Sequence, residues 1–477
     1  MDENKSFVKE IADIKTNFPQ WYTDIVLKTE MVDYGPVKGT MIIRPYGYEI
    51  WENIQFELNK RIKNTGHKNA YFPLFIPYSF IAKESEHIEG FAPEVATITH
   101  AGGEKLAEPI VVRPTSETLF GTAYSKWIKS WRDLPLLLNQ WANVVRWEKT
   151  TRPFLRTTEF LWQEGHTAHA TKQEAEEETI KMLHVYEEFM KNVLALPVLV
   201  GKKSEKEKFA GAETTYSVES ITLDGKCLQS GTSHYLGQKF AKAFDIKFLD
   251  KDGEHKLVYT TSWGVSTRMI GAMIMAHGDV RGIALPPKVA PVQAVIIPIS
   301  NKDEVKERAN ILFDSLKNKG VRCELDDRKQ SPGWKFNEWE MKGVPLRIEI
   351  GPRDIEKGCV QIQRRDVLAK EEVKFEDINE YVLNKLDQIQ VAMYEKALKH
   401  LQSRIKEVHT FDELKEAVNN GFIAKSMWCG SRESEEKVKE LTTATSRVMP
   451  FDQTPFDNKC VVTGEKAKFV VYFAKAY

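Results

Sequence analysis

Between Val144 and His169 the chain reads VVRWEKTTRPFLRTTEFLWQEGHTAH, with apolar and polar residues alternating before Lys149 and again after Thr157, through Phe160 and Trp162. A period of two predicts two antiparallel strands joined by a charged loop. Arg146, Glu148, Arg152, Arg156, Glu159 and Glu164 then project from one hairpin into a shared cleft, among the aromatic residues Trp147, Phe154, Phe160 and Trp162. Upstream, YEIWENIQFELNKRIK places Ile50, Ile54, Leu58 and Ile62 at helical spacing, which predicts an amphipathic helix beside the strand YFPLFIP. A helix, a strand and a proline (Pro45) in this order suit a symmetric dimer interface. Residues 5–30 read as helical and then extended, with the pair Trp21 and Tyr22 and a turn at Gly35-Pro36 beyond them.

The apolar run Ile110 to Val112 leads into Arg113-Pro114-Thr115-Ser116-Glu117. On an extended segment Thr115 and Glu117 project on the same side, a hydroxyl beside a carboxylate, suited to gripping an ammonium group. Equally, Thr115 or Ser116 can cap the helix predicted over TLFGTAYSKWIKSW. Further on, YSVESITL, a turn at Asp224-Gly225-Lys226 and LQSGTSH form a second predicted hairpin, whose Gly231, Thr232, Ser233 and His234 bring backbone close to a ligand. Thr260 to Thr267 read as a strand that enters an apolar helix at Arg268. An arginine at a helix N-terminus is suited to a triphosphate. From Pro286 the pattern becomes a proline-bearing linker followed by alternating strands and helices, which predicts a parallel or mixed sheet.

Composition narrows the picture. The 477 residues allow two or three domains with cores of their own. Lys plus Arg and Asp plus Glu both number 68, so a polyanion must be met by local basic patches rather than by a global field. The opening MDENKSFVKE is charged, and no apolar run is long enough to span a bilayer, so a soluble, cytoplasmic protein with no membrane partner is expected. Five scattered cysteines argue against a disulfide framework.

Taken together, the Arg146/Glu148 strand, the Phe160 return strand and the Gly264-x-Ser266-x-Arg268 helix entry resemble motifs 2 and 3 of class II aminoacyl-tRNA synthetases, and the Pro45 region resembles motif 1. Thr115-x-Glu117, Trp162-Gln163-Glu164-Gly165-His166 and Gly231-Thr232-Ser233-His234 are similar to prolyl-tRNA synthetases of the archaeal and eukaryotic-like form, over the whole chain. The long editing insertion of the other bacterial form is missing between motifs 2 and 3.

This resemblance implies an α+β catalytic domain on a mostly antiparallel sheet (1–285), an α/β anticodon-binding domain (286–397) and a small α+β C-terminal domain (398–477). It implies a homodimer that activates L-proline with ATP and Mg²⁺ and charges tRNA(Pro). Arg146 and Arg268 become the catalytic cations. Thr115, Glu117, Arg146, Trp162, His166 and His234 receive proline. Arg146, Glu148, Arg156, Thr157, Thr158, Phe160, Gln229, Thr232, Ser266 and Arg268 receive ATP, and Glu219 is the expected Mg²⁺ carboxylate. Lys335, Arg347, Glu349 and Arg353 are the candidate anticodon readers.

The last segment departs from the family. Relatives often carry four zinc cysteines there, whereas this chain has Cys429 with Ser434 and Cys460 with Thr463, so no tightly bound zinc is expected. Packing of Trp428, Phe451, Phe469 and Tyr472 is expected to hold this domain instead, with the tail VVYFAKAY docked. A threonyl enzyme is the nearest rival, but it needs a zinc in the catalytic domain, and Cys227 is not placed for one. A non-catalytic paralogue is the other, yet Arg146, Glu148, Arg156 and Arg268 all stand.

Overall fold

The computed structural model describes residues 11–87 and 95–477; the first part of the helical reading over 5–30 lies outside them, and the described helix there is Phe18–Lys28. The alternating runs do become strands. Leu136–Val145 and Glu159–His169 pair antiparallel from Leu136 against Ala168 to Val145 against Glu159. Thr214–Ile221 and Cys227–Gly237 form the second hairpin, and Tyr259–Ser266 lies between the two hairpins, antiparallel to both Cys227–Gly237 and Glu159–His169. These strands are the centre of an 11-stranded sheet, antiparallel except at two outer pairings.

Helices cover one face of this sheet. Lys172–Asn192 begins with a reciprocal cap between Thr171 and Glu174 and buries Met182, Leu183, Tyr186, Phe189 and Met190. Arg268–His277, apolar on nearly all sides, is buried along almost its whole length. The helix Pro45–Asn64 buries Ile50, Trp51, Ile54, Leu58 and Ile62, as its spacing predicts. Gly165 is required for this packing: a Cβ there would stand 2.0 Å from the Trp263 indole, which fills the core beneath the sheet. With one face closed by helices, the opposite face of the central strands is left to form a cleft.

A second, five-stranded sheet has the order Cys323–Leu325, Ala294–Pro298, Leu346–Ile350, Cys359–Arg364, Lys370–Lys374. Its first three strands are parallel and the last two antiparallel, so it is mixed. Arg365 ties it to the turn that follows the helix Arg268–His277, through a two-pronged contact with Asp279 at 2.7 and 2.8 Å.

The C-terminal strands extend the large sheet. Met449 and Pro450 of Ala444–Pro450 pair with Lys202 and Gly201 of Val198–Lys202. The tail forms the strand Phe469–Lys475, and the Tyr477 N–H donates to the Cys227 carbonyl at 3.0 Å. Of the four aromatic residues expected to hold this region, Trp428 is buried, but Phe451 and Phe469 are 51% and 38% exposed. The cluster around Trp428 is completed by the aliphatic residues Leu414, Val418, Val438 and Val471 and by another aromatic residue, Phe473.

Candidate active site

The open face of the central sheet lines a cavity of about 710 Å³. Its walls follow strand periodicity: Phe160, Trp162, Glu164 and His166 alternate along one strand, Thr232 and His234 along another, and Ser262, Gly264 and Ser266 along the strand between them. Ser262 stands opposite both His166 and His234 in the ladder, which fixes the depth of the cavity floor. Residues 146–150 form the rim.

Three arginines gather at one end. Arg146 anchors its Nε–H on the Pro114 carbonyl at 3.0 Å, and its guanidinium lies 5.6 Å from the Phe160 ring centre and 5.5 Å from that of Trp162. Arg268 donates from Nε to the Leu155 carbonyl at 2.9 Å, at the entry of its helix. Arg156 is half-exposed and reaches Glu148 only at 4.0 Å. Burial, reinforced by Arg146 and Arg156, pushes Arg268 down to about 10, the mark of cations crowded together in want of an anion. Gln229, Thr232, Ser266 and Glu148 line the same end. The strand ends at Val145, so Glu148 sits in the loop rather than on the strand as expected, although the Arg146 N–H still donates to the Thr158 carbonyl at 2.8 Å.

Carboxylates and hydroxyls gather at the other end. The helix Glu117–Trp127 begins at Glu117, with Ser116 at the cap position, so Thr115 and Glu117 do not lie on an extended strand. Their side chains meet all the same: the Thr115 hydroxyl donates to the Glu117 carboxylate, leaving the Thr115 oxygen free to accept. Ser116 turns inward and donates to Glu164 Oε1 at 2.5 Å, and Gln140 Nε2 donates to the same oxygen at 2.5 Å. Glu164 Oε2 holds His166 Nε2 at 2.8 Å, and the His166 ring stacks on Phe120 at 4.0 Å between centres. Gln140, Thr215 and Phe209 have no role in the sequence reading, Ser116 enters it only as a helix cap, and Glu164 only as one of the charges projecting into the cleft. Glu164 was readable from its place between Trp162 and His166 on one strand face; Gln140 and Thr215 carry no local signal.

Four expectations need correction. Thr157 and Thr158 do not line the cavity: Thr157 is buried beneath the loop with its hydroxyl on the Glu159 carbonyl, and the Thr158 side chain lies against Gly39. Glu219 is no metal ligand here. It is fully buried away from the cavity, with one oxygen on Lys203 Nζ at 3.0 Å and the other on Arg447 at 2.5 and 3.1 Å. Lys335 is buried with Nζ on the Asp326 carbonyl at 2.9 Å, which withdraws it from any nucleic acid. Arg347 and Glu349 pair at 3.0 Å, Arg347 also lies 4.1 Å from the Phe336 ring centre, and Glu349 is buried; Arg353 alone of that set is exposed.

In the C-terminal region the four expected positions do converge. The sulfur of Cys429 lies 3.6 Å from the Ser434 hydroxyl and 3.9 Å from that of Thr463, and the free thiol of Cys460 is hydrogen-bonded to it. Among the described residues no group of three His, Cys, Asp or Glu side chains could hold a metal ion. Cys227 is buried, which pushes its thiol up to about 12. Also among the described residues, no helix is long and apolar enough to cross a membrane.

A mostly antiparallel sheet backed by helices, with arginines at a hairpin and at a helix entry, defines the catalytic core of a class II aminoacyl-tRNA synthetase. Residues 102–277 match the tRNA synthetase class II core domain (G, H, P, S and T), residues 293–385 an anticodon binding domain, and residues 411–477 the prolyl-tRNA synthetase C-terminal domain. A proline–tRNA ligase of Alkaliphilus oremlandii is 57% identical, with 100% of this chain and 99% of the relative covered. Proline–tRNA ligase 2 of Clostridioides difficile is 55% identical, with 99% of each covered. The crystal structure of the prolyl-tRNA synthetase of Cryptosporidium parvum, complexed with halofuginone and AMPPNP, superposes with a TM-score of 0.95 at 43% identity, over 98% of this chain and 99% of that one. The chain belongs to the prolyl-tRNA synthetase family.

Proposed function

We propose that this protein is a proline–tRNA ligase: it joins L-proline to ATP as prolyl-adenylate, releasing pyrophosphate, and transfers the prolyl group to the terminal adenosine of tRNA(Pro), releasing AMP. The observation that carries this reading is the division of one cavity into a cluster of three arginines and an opposite cluster of hydrogen-bond acceptors.

Proline is a zwitterion whose secondary ammonium has two protons to place. The Glu117 carboxylate and the free lone pairs of Thr115 take them, while Trp162 and His166 bound the apolar ring. Of the three arginines, Arg146 is the one that also faces the carboxylates, with Glu117 and Glu164 acting on its charge, and it bridges the amino-acid carboxylate and the α-phosphate. Arg156 and Arg268 hold the outer phosphates, and Phe160 gives the adenine a face. Gln229, Thr232, Ser266 and Glu148 complete the nucleotide end. Attack of the carboxylate on the α-phosphate accumulates negative charge, so positioned guanidiniums in a partly desolvated cleft lower the barrier without a covalent protein nucleophile.

Mg²⁺ fits this site only as a guest of the nucleotide. Glu219 is committed to Lys203 and Arg447, so Glu148 and Gln229 are the protein groups that would hold Mg²⁺ beside the nucleotide, where it would supply charge neutralisation for the phosphates.

The division into a catalytic part (1–285), an anticodon-binding part (286–397) and a C-terminal part (398–477) is our reading of the chain. With Lys335 engaged internally, Arg353 is the candidate left for the tRNA. The helix Pro45–Asn64 turns Tyr48 and Phe56 outward, 41% and 71% exposed, and this supports a homodimer through that face. A cytoplasmic location accords with a tRNA substrate. Charging of tRNA(Pro) with labelled proline tests the proposal: proline must be esterified to it, and charging with threonine alone would contradict it.

A further inference from the structure

Thr215 lies on the strand Thr214–Ile221, directly opposite His234 in the ladder, and its side chain is 2% exposed. Its oxygen accepts the Phe209 N–H at 3.0 Å and lies 2.9 Å from His234 Nδ1. A hydroxyl has one proton to give, and among the described residues no other acceptor for this one is present. Were Nδ1 the protonated nitrogen, the Thr215 proton would be buried without an acceptor, at a cost the Nε2–H tautomer avoids. The Phe209 ring, 4.8 Å from the imidazole between centres, holds the plane of His234 from the side. Nε2 has no protein partner among the described residues, and His234 lines the cavity.

We propose that Thr215 is a positioning residue that fixes His234 as the Nε2–H tautomer, so that His234 donates a hydrogen bond to a carboxyl oxygen of bound proline. This rests on the proline reading above. Proline offers a donor only at its ammonium and acceptors only at its carboxyl group; its ring offers neither. Thr115 and Glu117 accept, so a donor on the opposite wall has one partner in the substrate. Fixing the tautomer also keeps His234 from presenting a lone pair to the carboxylate, which would repel it. Burial, with His166 and Arg146 nearby, holds the imidazole in its neutral form, down to about 3.

The test uses the full-length protein with ¹⁵N-labelled histidine and His234 assigned by a His234→Gln variant. Long-range ¹H–¹⁵N spectra at neutral pH are expected to show His234 protonated at Nε2 and bare at Nδ1; the reverse tautomer or an imidazolium would overturn the proposal. Thr215→Val is expected to mix the tautomers and raise the KM for proline about twofold or more, in inverse proportion to the fraction left as the Nε2–H form, with the KM for ATP unchanged. Thr215→Ser is expected to restore both. An unchanged KM in a Thr215→Val protein with mixed tautomers would also overturn it. Absence of proline-dependent exchange in the wild type would instead refute the substrate assignment, because the spectra read the tautomer without substrate.

Discussion

Arg447 Nη2 lies 2.5 Å from Glu219 Oε2, an ion pair between a C-terminal strand and the central sheet whose two side chains are 6% and 0% exposed. Lys203 completes the cluster on the other oxygen. Removing one member leaves charge stranded in a place water cannot reach. Glu219→Ala should therefore destabilise the protein by about 3–5 kcal/mol in urea unfolding, and release the C-terminal strands to proteolysis first. A loss under about 1 kcal/mol would contradict this structural role for Glu219.

Glu117→Gln keeps the shape of the acceptor beside Thr115 and removes its charge. A hydrogen bond to a charged group contributes about 1.5–3 kcal/mol, so the KM for proline should rise about 10- to 100-fold while the KM for ATP stays within about twofold. Equal losses for both substrates would show that Glu117 organises the whole cavity and not the ammonium subsite.

The same period-two pattern that predicts the hairpin also explains how much of the site could be read in advance. Phe160, Trp162, Glu164 and His166 follow one another on a single strand face, and their meeting in one cavity follows from it. Thr157 and Thr158 enter the site only through the family resemblance, but the chain turns under itself there, and Gly39 meets Thr158 from a distant segment. Glu219 looked like a metal ligand because its partners, Lys203 and Arg447, lie 16 and 228 residues away. Arg347 and Glu349, two residues apart on one strand, are legible as a pair; Lys335 against Asp326 and Arg347 against Phe336 are not, because those neighbours lie on other elements. Long-range pairing decides such cases, and periodicity does not encode it.

Acid should destabilise the fold before carboxylates at ordinary values titrate. Burial lowers His169 and His277 from 6.5 to about 4 and His234 to about 3. The unfolded chain thus binds protons that the native chain refuses, and stability must fall as pH drops from about 6.5 toward 4. The lowered Glu178 and Glu219, once protonated, act in the same direction at lower pH. Thermal melts from pH 8 to pH 4 should show a steady decline beginning near 6.5; a flat profile down to pH 5 would contradict the buried neutral imidazoles.

A ring pocket bounded by Trp162 and His166 selects by shape, and alanine is smaller than proline. Discrimination between them should be only about 10²- to 10³-fold in kcat/KM for adenylate formation, the range an apolar pocket supplies for one or two missing methylenes. Alanine-dependent exchange in the wild type checks this, and its complete absence would point to a polar rejection device. Metal analysis of the purified protein should find no stoichiometric zinc, since two thiols and two hydroxyls make a poor set of ligands.

On the proposed reading, Arg146 serves both the amino-acid carboxylate and the α-phosphate from one position, facing Glu117 and Glu164 as well as the other arginines. Proline-dependent exchange of labelled pyrophosphate into ATP, measured side by side for the wild type and Arg146→Ala, tests it most directly. Robust exchange is expected in the wild type and a loss of about 10³-fold or more in the variant, with an unchanged circular dichroism spectrum and melting curve. Exchange at near wild-type rate in Arg146→Ala, or unfolding of that variant, would contradict it.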